Sequence, residues 1–173
     1  MLTVEQEKWL EHLNSTDKIE ILAYNPESNI VFEEIKKEIH NFLPEVEVLH
    51  CGSTALEILG QSEIDIYVPV LEKDFDRYLE KMKEHFGQPA SFYPLERVRF
   101  VRRDNRMKIT IFLMNQELDK WKDHIKFENY LKENKEALQK YIKVKEESNG
   151  LSTREYYRKK LEFINEISNK IKT

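Results

Sequence analysis

Two short stretches contain the residues whose types and spacing could do chemistry. Gly52, Ser53 and Thr54 follow an apolar run, and Glu63 begins a second such run nine residues later. A glycine after a strand permits positive φ and lets a phosphate approach the backbone, while the neighbouring hydroxyls can donate hydrogen bonds. The acids at 63 and 65 leave the same face of a predicted strand. The pattern predicts a phosphate-binding turn, with Gly52, Ser53 and Thr54 as its ligands, next to two carboxylates.

Glu63 and Asp65 are predicted to be both metal ligands and catalytic residues. Adjacent carboxylates repel each other unless a cation lies between them, and hard oxygen ligands suit Mg²⁺. Such an ion can polarise a phosphoryl oxygen and orient an attacking hydroxyl. The alternative is structural: the intervening apolar residues Ile64, Ile66 and Val68 form core, and the acids are the solvent face.

A basic segment follows, with five arginines within ten residues: Arg97, Arg99, Arg102, Arg103 and Arg106. Arg97 and Arg99 share a strand face and are predicted to bind phosphate. The cluster of arginines at 97, 99, 102 and 103 predicts one positive face. Two other interpretations stay open: the charges protect a sheet edge, or they contact nucleic acid. Nucleic acid is not expected as the main partner, because the net charge is −4.

The elements that must position these residues are α+β. Apolar spacing predicts helices over 3–14, 30–43 and 72–86, and strands over 46–51 and 64–70. Two β-rich arms around Asp104 and Asn105 predict a hairpin. From Glu117 onward the pattern is helical, with a break near Asn134 and a cap at Ser152 or Thr153. We predict a body over 1–116 with an N-terminal helical extension, and a helical part over 117–173 packed on it.

Composition places the chain among ordinary globular proteins, with 40% hydrophobic and 35% charged residues in 173. No apolar run approaches the roughly 20 residues needed to span a bilayer, so no membrane partner is expected. The segment after Met1 does not look like a signal peptide. The single cysteine, Cys51, forms no internal disulfide. These features predict a cytoplasmic protein.

Several segments, in order, resemble the GrpB family. "HCGSTAL" resembles its His-x-Gly-Ser-Thr-Ala stretch, and "AYNPE" its Tyr-Asp-Pro segment. The helical stretch from Trp121, "KWKDHIKFENYLKENKEALQKYIKVK", and the closing "YYRKKLEFI" resemble the family's C-terminal motifs. The turn followed by Glu63-Ile64-Asp65-Ile66 also resembles the nucleotidyltransferase superfamily signature.

The resemblance implies a nucleotidyltransferase-like fold with a C-terminal helical part. Gly52, Ser53, Thr54 and Asp65 match the motifs. The match of Lys160 to the closing Tyr-x-x-x-Lys pattern implies that it reaches the cleft as a further phosphate ligand. Packing of Lys160 with Tyr156 is an equally open interpretation.

The chain departs from the family pattern at several places. Its Pro-Gly and Lys-Pro are absent between the turn and the second strand, Lys108-Ile109-Thr110 replaces a His-x-His, and Phe127-Glu128-Asn129 replaces Phe-Arg-Asp. Nucleotidyltransferases of the superfamily also bring a third carboxylate from a neighbouring strand, and the stretch 108–114 contains no acid. Two functions follow. The chain either binds a nucleotide or other phosphorylated small molecule, with Mg²⁺-dependent nucleotidyl transfer as its extension, or is a non-catalytic interaction module.

Overall fold

Contacts between residues divide the chain into two compact units. The computed structural model describes residues 1–103 and 107–172, the side chain of Lys172 excepted. A body unit contains Tyr24–Glu57 and Ser62–His124, and a helical unit contains Met1–Ala23, Ile58–Gln61 and the chain from Ile125 onward. This division differs from the predicted boundary after residue 116, because the first 23 residues group with the C-terminal helices.

The body unit is built on a five-stranded mixed sheet in the order β1-β2-β5-β4-β3. Its strands are β1 Leu49–Cys51, β2 Glu63–Val70, β3 Ser91–Tyr93, β4 Arg97–Arg103 and β5 Lys108–Asn115. The adjacent strands β2 and β5 run parallel, and every other neighbouring pair is antiparallel. The predicted hairpin arms are therefore β4 and β5. Its turn at Asp104 and Asn105, with Arg106, lies outside the described residues.

One face of this sheet forms the core of the body unit. Ile64, Ile66 and Val68 are completely buried, as their alternation predicts, in a cluster that includes apolar residues of two helices. These helices are α2 Glu27–Phe42 and α4 Phe75–Phe86, and a 3₁₀ turn at Glu72–Asp74 precedes α4. The opposite face carries the acids of β2, Glu63 and Asp65, which alternate with these buried residues.

The connection from β1 to β2 differs in detail from the prediction. A four-residue helix, α3 Gly52–Ala55, begins at the glycine itself, where the sequence predicts a turn. The helical path stops after Leu56 because Glu57 has a φ of +55°, which is incompatible with continuing a right-handed helix. The predicted first strand is shorter than expected, and the edge strand β3 was not predicted.

The helical unit contains α1 Val4–Glu11, most of α5 Asp119–Glu133, α6 Lys135–Glu146 and α7 Thr153–Lys172. The predicted cap before α7 is present, and Asn134, at the predicted break, caps α6. Asn134 accepts a hydrogen bond from the Ala137 amide at 2.9 Å. The Ser152 amide donates to the Glu155 carboxylate at 2.9 Å, and the Ser152 hydroxyl accepts from the Glu155 amide at 3.3 Å. Within the described residues, no helix has the length and apolar character needed to cross a membrane.

The first helix belongs to this unit because α7 holds it by polar contacts. Both terminal nitrogens of the Arg158 guanidinium donate to the Glu7 carboxylate, at 2.8 and 2.7 Å. The Gln6 amide nitrogen also donates to Asn165 at 3.1 Å. These contacts join residues about 150 positions apart in the chain, which local sequence patterns do not specify.

Candidate ligand-binding site

Strand register brings the predicted body-unit residues onto one face of the sheet, here called the polar face. Glu63 and Asp65 on β2 lie opposite Lys108 and Thr110 on β5. Directly paired residues project from the same side of a sheet. On β4, Val101 is opposite Thr110. Arg99 and Arg97 lie two and four residues before Val101 on the same strand, so they project from the same side. The polar face is defined by Glu63, Asp65, Arg97, Arg99, Lys108 and Thr110.

Gly52 is in contact with the carboxylate of Asp65. Its φ is +77°, and a β-carbon added there would lie 2.6 Å from Asp65 Oδ2. Position 52 therefore requires glycine for two separate reasons: a left-handed backbone, and no room beside a carboxylate. The closeness of the turn and Asp65, which the sequence only suggested, is present in the structure.

Thr54 uses its hydroxyl inside the protein. It donates to the Glu63 carbonyl oxygen at 3.3 Å and lies 2.9 Å from His50 Nε2, and the residue is only 5% exposed. His50 in turn stacks on Phe32 with ring centroids 4.6 Å apart. These contacts join β1, α3 and β2. The predicted role of Thr54 and of the half-buried Ser53 in binding phosphate stays a prediction.

Glu63 is held by two donors from β5. Lys108 Nζ lies 2.9 Å from Glu63 Oε1, and the Thr110 hydroxyl donates to the same oxygen. Thr110, which is buried, also stands opposite Asp65, on a strand that contains no acid. The register thus locates both Lys108 and Thr110 at the acid pair.

The surroundings of Glu63 and Asp65 fit a magnesium ion poorly. Mg²⁺ needs free carboxylate oxygens in near-octahedral geometry, whereas Glu63 Oε1 already receives an ammonium and a hydroxyl. Among residues 1–103 and 107–172, no three His, Cys, Asp or Glu side chains gather closely enough to hold a metal ion. Magnesium binding by Glu63 and Asp65 stays a prediction.

Arg97 and Arg99 have buried donor groups that lack partners. In the described part of the chain, the Nε atoms of both side chains are buried without a hydrogen-bond partner. The Arg97 guanidinium lies 5.3 Å from the centroid of the Tyr93 ring and 5.7 Å from that of Phe112. Buried N–H groups are nearly always bonded, so these two donors are available to an acceptor that a ligand brings.

Arg102 corrects the prediction of a single positive face. It alternates away from Arg99 and Arg103 along β4, and its guanidinium binds Glu38 of α2 at 2.9 Å. His85 Nε2 approaches the same carboxylate at 2.8 Å. Arg102 is thus part of an ion-pair cluster on the opposite side of the sheet, because strand residues one apart face opposite ways.

Aromatic rings lie beside the arginines. Tyr67 stacks on Phe112 with centroids 4.6 Å apart, and the rings of Trp121 and His124 lie 5.5 and 4.7 Å from Tyr67. Phe112 also contacts Arg97. Tyr67 is not among the site residues predicted from the sequence. Its position opposite Phe112 depends on the β2–β5 register, so no local pattern indicated this stack.

The comparison with protein families agrees with the motifs. The family model described as GrpB protein matches residues 18–170. This chain belongs to the GrpB family. A crystal structure of conserved protein GrpB from Enterococcus faecalis is similar, with a TM-score of 0.69 and 21% identity over 87% of this chain and 95% of that chain. The likeness confirms the shared fold, a mixed sheet with packed helices of nucleotidyltransferase-like type. No curated protein matches the chain.

Three further residues occupy positions covered by the GrpB motifs. Lys108 and Thr110, which hold Glu63, stand where this chain departs from the His-x-His of the family pattern. Lys160, matched to the closing GrpB motif, belongs to α7 in the helical unit, where its ammonium lies 5.5 Å from the centroid of the Tyr157 ring. Its role as a phosphate ligand stays a prediction.

Proposed function

We propose that this GrpB-family protein binds a nucleotide or other phosphorylated small molecule on the polar face of its sheet, with Arg97 and Arg99 contacting the phosphate. The observation that carries the proposal is the pair of buried Nε groups without acceptors. An unsatisfied buried donor costs about 1–3 kcal/mol, which a bound phosphate oxygen would recover. Guanidinium groups suit this task because their fixed fork of donors matches phosphate geometry.

The surroundings of the arginines support an anionic ligand with a planar group. The Tyr93 and Phe112 rings flank the Arg97 guanidinium and restrict its movement without consuming its hydrogen-bond donors. Tyr67 extends the aromatic surface beyond Phe112. Flat rings beside phosphate-binding arginines are a suitable combination for a nucleotide.

The contacts of the acid pair favour ligand binding over nucleotidyl transfer as the function. Mg²⁺-dependent nucleotidyl transfer would use Glu63 and Asp65 as metal ligands and catalytic residues. However, Lys108 forms an ion pair with Glu63, and the β5 residue opposite Asp65 is Thr110. These two residues favour the second of the two functions, a non-catalytic module. Such a module of nucleotidyltransferase-like fold would bind its ligand without catalysing a reaction.

The test begins with a thermal-shift screen of nucleotides, coenzyme A precursors and other phosphorylated metabolites, each with and without Mg²⁺. A ligand that binds only the native state raises the melting temperature. The strongest hit is then titrated calorimetrically against wild type, Arg97→Gln with Arg99→Gln, and Arg102→Gln. We expect the double variant to bind at least about tenfold more weakly, since each lost charge-assisted hydrogen bond is worth roughly 1.5–3 kcal/mol.

Arg102→Gln is the matched control, because it removes the same charge from the same strand on the other face. Its affinity should stay near that of wild type. The proposal fails if no phosphorylated compound stabilises the protein, or if the double variant and the control bind equally well.

A further inference from the structure

We infer that Lys108 takes the place of a metal ion at the carboxylate pair, so that the polar face is complete without a divalent cation. The positive charge that Glu63 and Asp65 require comes from the protein itself. The Lys108 ammonium lies 2.9 Å from Glu63 Oε1, within direct ion-pair distance.

The arrangement is built by the strand register. Lys108 is the β5 residue directly opposite Glu63, and Thr110 is the one opposite Asp65. The lysine and glutamate side chains are 28% and 21% exposed, so the pair is partly withdrawn from water and its attraction is screened less than that of a surface pair. The Thr110 hydroxyl adds a second donor at the same glutamate oxygen.

Charge explains why this contact would exclude a metal. A divalent cation bound to Glu63 and Asp65 would lie beside the Lys108 ammonium, and like charges at that distance repel strongly. To bind through Glu63 Oε1, the ion would have to displace both Lys108 and the Thr110 hydroxyl. Removing the lysine charge should therefore open the pair to divalent cations.

The experiment uses Mg²⁺ and Mn²⁺ alone as probes, so its result does not depend on whether the proposed phosphorylated ligand exists. The melting temperature of the full chain is measured against metal concentration for wild type, Lys108→Met and Lys120→Met. Lys120 is the matched control, because it forms an ion pair with a different glutamate. Its ammonium lies 3.0 Å from Glu96 Oε1. Only Lys108→Met should gain a melting temperature that rises with the logarithm of metal concentration.

The gain must come from the acid pair. Adding Glu63→Gln to Lys108→Met should abolish the metal response, and Lys108→Gln, which keeps a hydrogen-bond donor without the charge, should show the response if the methionine variant does not fold. Wild type that is stabilised by either metal, with the effect lost in Glu63→Gln, would overturn the inference. So would the absence of a metal response in both Lys108 variants.

Discussion

Gly52 is the residue whose identity the structure constrains most tightly, because backbone angle and space act together there. We predict that Gly52→Ala destabilises the protein by more than the roughly 1–3 kcal/mol typical of a non-glycine residue at positive φ. The added β-carbon would meet Asp65 Oδ2 at 2.6 Å, and one of the two groups would have to move. Urea unfolding of the variant and wild type measures the difference.

Gly150→Ala separates the two causes. Gly150 has a φ of +78°, and an added β-carbon would meet nothing within 4 Å, so it reports the cost of the backbone angle alone. In an Asp65→Ala background, the cost of Gly52→Ala should fall towards that of Gly150→Ala. Equal costs for the two glycines in the wild-type background would contradict the proposed clash.

The strand β2 is the element on which the body unit depends, since it pairs with β1 on one side and β5 on the other. Ile66 is completely buried at its centre. We predict that Ile66→Asp costs more than about 4 kcal/mol, because an unpaired charge would enter the core. Loss of the cooperative melting transition in circular dichroism, or a large fall in its midpoint, is the expected result.

Val101→Asp is the control for this element. Val101 lies in β4 of the same sheet but is 38% exposed, so a carboxylate there keeps its contact with water. Its melting should stay much closer to wild type. If Ile66→Asp melts no lower than Val101→Asp, the interior position of β2 is wrong.

At the scale of the whole molecule, acid sensitivity should reside largely in the carboxylates that bind partners in the helical unit. The hydrogen bond from Arg158 lowers the pKa of Glu7 below its usual value, with its charge assisting and burial opposing. Hydrogen bonds from Ser152 lower the pKa of Glu155, and lysines lower the pKa of two further glutamates, Glu136 and Glu166. A proton therefore binds the unfolded chain more readily than the folded one.

The sign of the pH effect follows from these lowered pKa values. Their contribution to stability is present above the ordinary glutamate pKa of about 4.3 and is lost as the pH falls through the lower folded values. We predict that wild type loses more of its free energy of unfolding between pH 7 and pH 3 than Glu7→Gln does. Urea unfolding at a series of pH values, at low ionic strength, measures both slopes.

Glu5→Gln is the control, because Glu5 shares the first turn of α1 but is not the residue that Arg158 binds. It should lose stability towards acid as steeply as wild type. A Glu7→Gln slope equal to that of wild type would show that the Arg158 contact contributes nothing to the acid sensitivity. High salt should reduce the difference between the two proteins, since these side chains are solvent-exposed.

Local patterns in the sequence determined much of the fold. The alternation of Ile64, Ile66 and Val68 indicated which side of β2 is buried, since strand side chains alternate with a period of two. Capping chemistry indicated where the last helix begins, because the Ser152 side chain satisfies backbone groups only a few residues away. Several motifs in order indicated the GrpB family.

Only the tertiary structure decided how the strands pair and what the pairing brings together. Residues 63 and 108 are far apart in the chain, and no local period specifies their register, so the Lys108 contact with Glu63 could not be read from the sequence. The short strand β3 lacked the length to show alternation. Arg97 and Arg99 were predicted as anion ligands from charge and spacing, whereas their buried, unbonded Nε groups depend on neighbours that folding supplies.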